Sequence, residues 1–283
     1  MEVVGTKQEI EKIRALHPKQ TRSYLPTMGN LHAGHADLVQ KAKKKGQQTW
    51  VSIFVNPLQF DVQQDFELYP RTQAADFELL KNLDVDFLFL PEVSEIYPKA
   101  QTFFVEPTLH HRYLEDFFRP NHIKGMATVV MKFFQIIQPH FAFFGKKDYQ
   151  QLRVIEQMVE DFHLPIQIFG EETVRENSGL ALSSRNQFLN AAEKKEASQL
   201  YQTLQNLKQS AESLSFFSAE KIKNLEQSAI ENLEKRNWKV NYIFFGGQKT
   251  LAPLKAEDKN FVILAAAYLG NTRLIDNLEG SFL

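Results

Sequence analysis

Two histidines, His32 and His35, stand three positions apart in a segment that also contains two glycines. The segment follows a short apolar run and precedes a helical pattern, so it is expected at a strand-to-helix turn. The first turn of such a helix has unpaired N–H groups and a partial positive charge, which favour a phosphate, and imidazoles there donate hydrogen bonds to phosphate oxygens. A nucleotide-phosphate site is therefore predicted over Pro26-Thr27-Met28-Gly29-Asn30-Leu31-His32-Ala33-Gly34-His35.

Two other interpretations of the histidine pair stay open from the residues alone. The histidines are incidental if the segment is an ordinary turn between a strand and a helix. They form a metal pair if both lie on one helical face, although a lasting zinc site needs a third and a fourth ligand. The chain has no cysteine, and its other close histidine pair is His110 and His111.

Two further polar segments each follow a strand-like run, which is where α/β proteins place ligand contacts. Asn56 and Gln59 carry amides suited to hydroxyl and carboxylate groups, unless this segment is an ordinary polar turn with proline. In the second segment, Lys147 suits a phosphate, and Asp148 suits ribose hydroxyls, a helix cap or both. Gln151 lies one helical turn beyond Lys147, so both side chains can face one pocket.

A compact loop near the expected domain boundary contains consecutive serines and an arginine, Ser183, Ser184 and Arg185. Its several donors suit a triphosphate. A lone loop of this composition is usually an ordinary surface loop, but the two other anion-suited segments favour the functional interpretation. Arg119 leaves two alternatives open, because it can pair with Glu115 or approach a ligand.

The composition indicates a globular protein with no general affinity for polyanions. The 283 residues suffice for one large domain or two ordinary ones, and 43% hydrophobic with 24% charged residues argues against disorder. A formal net charge of −1 provides no overall attraction to nucleic acid or to an anionic membrane. Any anion site must therefore be local.

The absence of cysteine excludes disulfides and thiol catalysis, and it fits a reducing compartment. The first residues lack the basic and apolar segments of a secretory signal, and no apolar run approaches the length of a membrane span. We therefore expect a soluble, cytoplasmic protein with no nucleic-acid or membrane partner.

Strand-like and helical runs alternate in the first part of the chain, which predicts an α/β domain with a doubly wound parallel (Rossmann-like) sheet. A smaller α+β C-terminal domain is expected after it, so the predicted domains are 1–173 and 174–283. The expected strands are 23–25, 49–55, 86–90, 141–144, 166–169, 240–245 and 261–269. The expected helices include 72–82, 125–137, 149–161, 191–209 and 218–235.

The ordered set of segments resembles the pantothenate synthetase (pantoate–β-alanine ligase) family over residues 24–277. The histidine loop alone is shared with many nucleotidyltransferases, whereas the full set is highly specific. Besides that loop, the matching segments are Phe54-Val55-Asn56-Pro57-Leu58-Gln59-Phe60, Tyr69-Pro70-Arg71, Phe144-Gly145-Lys146-Lys147-Asp148-Tyr149-Gln150-Gln151, Gly179-Leu180-Ala181-Leu182-Ser183-Ser184-Arg185-Asn186 and Arg273-Leu274-Ile275-Asp276-Asn277.

The resemblance implies a two-step reaction. The carboxylate of pantoate attacks the α-phosphate of ATP, which releases pyrophosphate and forms pantoyl adenylate. The amine of β-alanine then displaces AMP to form pantothenate. The resemblance also implies Mg²⁺ on the ATP phosphates, with no protein ligand assigned, and a homodimer.

The resemblance further implies roles for individual residues. His35 is the expected proton donor, and His32, Lys147 and Arg185 are the other expected catalytic groups. Displacement at phosphorus needs mainly alignment and charge neutralisation, which these side chains suit. Pantoate and β-alanine are expected at Gln59, Gln151 and Asn56. The expected ATP site comprises Met28, Gly29, Asn30, Leu31, His32, Ala33, Gly34, His35, Gly145, Lys146, Lys147, Asp148, Val174, Leu182, Ser183, Ser184 and Arg185.

Several positions depart from the family pattern. Gln64 stands where glutamate is usual, which leaves open whether acidic support for magnesium exists there. Lys146 replaces a common glutamate and adds a positive charge beside Lys147. Ser178 replaces a frequent aspartate, and Asn121 begins an Asn-His-Ile segment in place of Gly-His-Phe. None of the departures falls on a residue expected to be catalytic.

Two alternative functions remain. A nucleotidyltransferase acting on another small acid or on a phosphorylated acceptor shares the histidine loop but needs cationic acceptor contacts. Gln59 and Gln151 suit a neutral polyol acid better. A catalytically silent nucleotide-binding protein is expected to have lost a catalytic position, whereas the matching positions here are intact.

Overall fold

The computed structural model describes residues 1–62, 66–108, 114–214 and 218–282. Gln64, His110 and His111 lie outside the described residues. The chain divides into two compact units. The first unit contains residues 1–145 and 154–172, and the second contains residues 146–153 and 173–283. The domain limits predicted from the sequence stay a prediction.

The first unit is built on a six-stranded parallel sheet, which confirms the predicted doubly wound fold. The strand order is β1-β4-β3-β2-β5-β6, so the order reverses between β2 and β5. In sheets of this type, ligands bind beside the carboxyl ends of the strands at that reversal. The strands are β1 (Glu2–Val4), β2 (Arg22–Thr27), β3 (Gln48–Ile53), β4 (Phe87–Phe89), β5 (Phe141–Gly145) and β6 (Gln167–Glu171).

Helices cover both faces of this sheet because strand side chains alternate between the faces. Tyr24 and Trp50 belong to one buried cluster, while their neighbours Leu25 and Val51 belong to another. All six residues of β3 are buried, as its continuous apolar character predicts. The helices that begin in the first part of the chain are α1 (Lys7–Leu16), α2 (Ala33–Lys43), α3 (Gln73–Asn82), α4 (Val93–Ile96), α5 (Glu115–Phe118), α6 (His122–Ile137) and α7 (Tyr149–Asp161).

The second unit contains a smaller antiparallel sheet in the order β7-β8-β9, covered by two helices. Leu204 and Phe261 are fully buried in its core. Gly270, at φ 55°, forms the tight turn between β8 and β9. The elements are α8 (Ala191–Glu212), α9 (Ala219–Glu234), β7 (Trp238–Gly247), β8 (Asn260–Leu269) and β9 (Thr272–Ser281).

Several elements were not predicted from the sequence, namely β1, α1, α4, α5 and β9. A signal for α1 was present, because Thr6 and Glu9 form a capping box at its first turn. The three-residue strand β1 depends on pairing with the sequence-distant β4. Among the described residues, no helix has the length and apolar character needed to cross a membrane.

Candidate active site

The turn between β2 and α2 adopts a backbone conformation that favours glycine. Gly29 has φ 80° and Asn30 has φ 52°, so two successive residues lie in the left-handed region. A Cβ atom on Gly29 would also lie only 3.1 Å from Oδ2 of Asp76. Glycine at this position therefore serves both the turn and the close approach of a carboxylate.

The imidazoles of His32 and His35 are both held by the backbone of the α2 N-terminus. Nδ1 of His32 accepts a hydrogen bond from the N–H of Gly34 at 3.2 Å, and Nδ1 of His35 accepts from the N–H of His32 at 3.2 Å. The ring centroids are 4.2 Å apart. Because Nδ1 is the acceptor in each ring, a neutral imidazole carries its proton on Nε2. The pair thus presents donor nitrogens at a helix start, which suits a phosphate.

A buried carboxylate, Asp76 on α3, holds the same turn. Its side chain accepts hydrogen bonds from the N–H of Asn30 at 2.9 Å and from the N–H of Leu31 at 2.8 Å. The hydroxyl of Thr72 donates to the same carboxylate at 3.2 Å. Asp76 was not predicted as a site residue, because only the packing of α3 against the turn reveals its contacts.

Asn56 follows β3 and lies at the centre of a polar cluster that also contains Gln59 and Tyr97. Its side-chain oxygen accepts from the hydroxyl of Tyr97 at 2.8 Å and from the N–H of Leu58 at 3.3 Å. Its side-chain nitrogen donates to the carbonyl of Gly125 at 3.0 Å and to Oε1 of Gln59 at 3.1 Å. Asn56 is 1% exposed. Each part of its amide is therefore occupied by a partner within the first unit.

Gln59 connects this polar cluster to the histidine turn. Its side-chain nitrogen lies 3.0 Å from the sulfur of Met28, and its side chain is buried. Gly125 lets helix α6 approach the segment closely, since a Cβ there would lie 2.2 Å from the carbonyl oxygen of Leu58. The structure thus brings together three predicted site residues, Asn56, Gln59 and Met28.

Tyr97 enters the cluster as a protonated phenol. Burial raises the pKa of its hydroxyl above the ordinary value, so the group remains a donor at neutral pH. The ammonium of Lys132 lies 4.3 Å from the centre of the Tyr97 ring and donates to the carbonyl of Ile96 at 2.6 Å. The phenol ring is therefore held in place independently of its hydroxyl group.

In the second unit, the predicted residue Lys146 forms an ion pair. Its Nζ lies 2.7 Å from Oε2 of Glu279, and the hydroxyl of Tyr149 donates to the other oxygen of that carboxylate at 2.8 Å. The positive charge that departs from the family pattern is thus matched by a carboxylate on β9. Glu279 was not predicted as a site residue.

Asp276 and Asn277, two adjacent residues of β9, bind two segments of the second unit that contain predicted site residues. Asn277 donates to the backbone carbonyls of Lys146 and Lys147 at 2.8 and 2.9 Å. Asp276 binds the guanidinium of Arg175 through two hydrogen bonds of 2.6 and 2.8 Å, and the carboxylate is buried. The motif containing Asp276 and Asn277 was recognised in the sequence without a role for either residue.

Lys147, Ser183 and Arg185 line one small recess within the second unit, together with Arg273. The hydroxyl of Ser183 accepts from the N–H of Arg185 at 3.2 Å, which caps the short helix Ser184–Phe188. The lining includes three cationic side chains and the carboxylate of Asp276, which is paired with Arg175, so the surface suits an anion. The recess therefore brings together three residues that the sequence predicted for ATP.

The other predicted residues of the second unit are placed as follows. Leu182 donates its N–H to the carbonyl of Val174 at 2.9 Å, so these two positions lie side by side. Asp148 lies beside Lys147, with 3.8 Å between Oδ2 and Nζ. Gln151 is half-buried in the first turn of α7. The ligand contacts expected of these residues stay predictions.

Arg119, in the first unit, lies 3.7 Å from the carboxylate of Glu115, which corresponds to the structural alternative for this arginine. Within residues 1–62, 66–108, 114–214 and 218–282, no group of three or more His, Asp or Glu side chains is arranged to hold a metal ion.

A model of the family described as pantoate-beta-alanine ligase matches residues 2–279 of the chain. The pantothenate synthetase of Methylobacillus flagellatus is 45% identical over 274 residues, covering 96% of this chain and 97% of that protein. The enzyme of the same name from Neisseria meningitidis is 46% identical over 280 residues and 99% of both chains.

Solved structures give the same result. The pantoate-β-alanine ligase (pantothenate synthetase) of Thermus thermophilus superimposes with a TM-score of 0.88 at 38% identity, covering 98% of this chain and 99% of that one. The pantoate-beta-alanine ligase of Francisella tularensis, in complex with β-γ ATP and β-alanine, superimposes with a TM-score of 0.82 at 35% identity. That comparison covers 98% of this chain and 97% of the other.

Proposed function

The chain belongs to the pantoate-beta-alanine ligase family and is a ligase that condenses pantoate with β-alanine, and we propose that the residues described above perform this reaction. The observation that carries the proposal is the contact between Gln59 and Met28, whose side chains lie 3.0 Å apart. An amide suited to a hydroxy acid thus lies beside a turn suited to phosphate. This proximity supports attack of an acid on a bound nucleotide.

In the first step, a carboxylate oxygen of pantoate forms a bond to the α-phosphorus of ATP, and the bond from that phosphorus to pyrophosphate breaks. His32 and His35 are proposed to donate hydrogen bonds from Nε2 to phosphate oxygens, and His35 to act as the proton donor. Fixed donors of this kind stabilise the charge that develops in the transition state, because they need no reorganisation.

In the second step, the amine of β-alanine forms a bond to the carbonyl carbon of pantoyl adenylate. The bond from that carbon to the AMP oxygen breaks, and the amine nitrogen loses a proton. Neither step requires a covalent enzyme intermediate. Gln59 is proposed to hold pantoate and to lie near β-alanine, and Gln151 to contact pantoate.

Two cationic residues proposed for ATP, Lys147 and Arg185, belong to the second unit. Lys147 and Arg185 neutralise phosphate charge, and Ser183 and Ser184 donate hydrogen bonds to it, which the shared recess of Lys147, Ser183 and Arg185 supports. Asp148 is proposed to accept hydrogen bonds from ribose. The remaining proposed ATP contacts are Met28, Gly29, Asn30, Leu31, Ala33, Gly34, Gly145, Lys146, Val174 and Leu182.

Magnesium is proposed to arrive with ATP, bound mainly by phosphate oxygens and water. Mg²⁺ commonly keeps several waters and binds through substrate phosphates, which agrees with a site that offers no group of three acidic or imidazole side chains among the described residues. A homodimer and a cytoplasmic location are further proposals. The homodimer rests on family resemblance, and the location rests on the lack of cysteine, which fits a reducing compartment.

The test is product analysis after the protein is mixed with Mg²⁺, ATP and D-pantoate, with and without β-alanine. We expect AMP, pyrophosphate and pantothenate when all substrates are present. Formation of ADP and phosphate would overturn the proposal. Transfer of a nucleotide to a different acid or to a phosphorylated acceptor would instead indicate a nucleotidyltransferase.

The His35→Ala variant tests the role of the histidine turn. We expect ATP binding and folding to persist, while the rate of adenylate formation falls by about 10²–10³-fold, the usual effect of losing one well-placed donor. Pyrophosphate release at the wild-type rate would contradict the assignment. Calorimetric titration with ATP measures the binding separately.

A further inference from the structure

We propose that Asn56 does not contact substrate but, together with Tyr97, fixes the side-chain amide of Gln59 as a hydrogen-bond donor toward pantoate. This inference rests on the proposed function of Gln59. It makes Asn56 and Tyr97 positioning residues. It also departs from the expectation that Asn56 itself binds pantoate or β-alanine.

The first step of the argument is the hydrogen-bonding capacity of Asn56. A side-chain amide has two N–H donors and one oxygen that accepts two hydrogen bonds. The donors are directed to Gly125 and Gln59, and the oxygen accepts from Tyr97 and Leu58. The amide is saturated by these four partners, and its residue is 1% exposed. It therefore has no capacity left for a ligand.

The second step is that the orientation of this amide follows from the main chain. The carbonyl of Gly125 only accepts, and the N–H of Leu58 only donates. If the oxygen and nitrogen of Asn56 were exchanged, two acceptors would face each other at Gly125 and two donors at Leu58. The hydroxyl of Tyr97 reinforces the observed orientation because it donates to the oxygen at 2.8 Å.

The third step is that the orientation of the Asn56 amide determines the orientation of the Gln59 amide. Because the nitrogen of Asn56 occupies Oε1 of Gln59, the amide nitrogen of Gln59 must point the other way. There it meets the sulfur of Met28, which is only a weak acceptor. On the side away from Asn56, the amide of Gln59 therefore offers a donor, which selects carboxylate or hydroxyl oxygens that accept. Pantoate has such oxygens.

The Asn56→Asp variant inverts this polarity with little change in shape. Both oxygens of an aspartate accept, so Oε1 of Gln59 would face a carboxylate, and the Gln59 amide is expected to rotate and turn its oxygen toward the substrate. We expect the KM for pantoate to rise by about 10–100-fold, the loss of one hydrogen bond to a charged group. The KM for ATP should change less than about twofold.

The Tyr97→Phe variant is a gentler test that also guards against misfolding of the first variant. It removes the hydroxyl that donates to the side-chain oxygen of Asn56 but keeps the ring and its contact with Lys132. We expect the KM for pantoate to rise by about 3–10-fold, the scale of one neutral hydrogen bond. The ATP dependence should remain unchanged.

Tyr24→Phe is the matched control. The hydroxyl of Tyr24 is also buried in the first unit and hydrogen-bonded, to Ser52 at 2.7 Å, but it has no link to Gln59. This control should lose stability and keep the wild-type KM for pantoate. If all three variants shift KM alike, or if Asn56→Asp and Tyr97→Phe leave it unchanged, the inference is overturned.

The same measurements separate this inference from the proposed function. If the wild-type protein makes pantothenate but the two cluster variants behave like the wild type, only the positioning roles are wrong. If the wild-type protein makes none, calorimetric titration with D-pantoate in the presence of ATP compares the wild type with Asn56→Asp. A loss of affinity in the variant then supports the inference, and equal binding or no binding to either protein overturns it.

Discussion

The two units hold the segments that contain their candidate site residues by different interactions. In the first unit, Asn56, His32 and His35 are held by hydrogen bonds to amides, a phenol and the main chain. A carboxylate of the same unit, Asp76, accepts from backbone N–H groups. In the second unit, two carboxylates on β9 hold cationic side chains directly. These are the pairs Arg175–Asp276 and Lys146–Glu279.

This difference has an energetic consequence. A hydrogen bond to a main-chain group fixes the direction of a side chain, because the polarity of the main-chain partner cannot change. An ion pair fixes the position of a charge, and its removal leaves the other charge without compensation. We therefore expect changes in the first unit to affect mainly substrate affinity and rate. Changes in the second unit should affect mainly stability, in proportion to burial.

The largest effect on stability is expected for Asp276→Ala. The Asp276 carboxylate is buried and binds the mostly buried guanidinium of Arg175 through two hydrogen bonds. Breaking a buried pair by removing one partner typically costs about 3–5 kcal/mol of unfolding free energy. Chemical denaturation followed by circular dichroism measures the change. A loss below about 1 kcal/mol, the range of surface ion pairs, would contradict the expectation that the second unit depends on this pair for its stability.

A large effect on rate, with a smaller one on stability, is expected for Asp76→Asn. The amide keeps one oxygen but sets an NH₂ group against the second backbone N–H of the histidine turn. A displacement of about 1 Å in a catalytic group can cost about 10²-fold, which we expect in kcat/KM for ATP. Steady-state kinetics with varied ATP tests this. The variant Glu78→Gln on the exposed side of α3 provides the control, and equal activity of both variants would show that Asp76 does not position the turn.

A smaller effect is expected for the partly exposed pair Lys146–Glu279. A double-mutant cycle with Lys146→Ala and Glu279→Ala should give a coupling energy of about 0.5–1 kcal/mol. The same variants also test whether Lys146 binds phosphate. If its charge also binds phosphate, Lys146→Ala raises the KM for ATP even when Glu279 is absent. A coupling energy above about 2 kcal/mol would show that this pair stabilises the protein as strongly as a buried ion pair does.

The smallest effect is expected at Glu226, which accepts from the N–H of Phe245 at 2.7 Å. Burial raises the pKa of its carboxyl above the ordinary glutamate value. The folded protein therefore holds this proton more tightly than the unfolded chain, so stability falls as the pH rises from the ordinary pKa through the raised one. Glu226→Gln keeps an acceptor and should remove this fall, as thermal unfolding between pH 4 and pH 7 can determine.

Much of the fold could be predicted from local patterns. The apolar run that became β3 and the helical pattern that became α7 carry their periodicity in neighbouring residues. The strand β9 was missed because its buried Asp276 and Asn277 interrupt an apolar pattern. Those polar residues are tolerated there only because Arg175 and two backbone carbonyls are their partners.

Some residues of the candidate site were likewise predicted from the sequence, and others were not. The segments around His32, Gln59 and Lys147 were predicted because their residue types and spacing suit a ligand at the ends of strands. Asp76, Tyr97 and Gly125 were not, because each acts on a loop that is distant in sequence. No local spacing encodes those contacts.

The family, the alternation of strands and helices, and the polar residues at the ends of strands can all be recognised from the amino-acid sequence. These follow from the order of side chains along the chain and from local backbone preferences. Which of those side chains keep hydrogen-bonding capacity, and in which direction they offer it, depends on the packing of segments that are distant in sequence. Asn56 and Gln59 are both amides three residues apart, yet packing against Tyr97 and Gly125 saturates the first and orients the second.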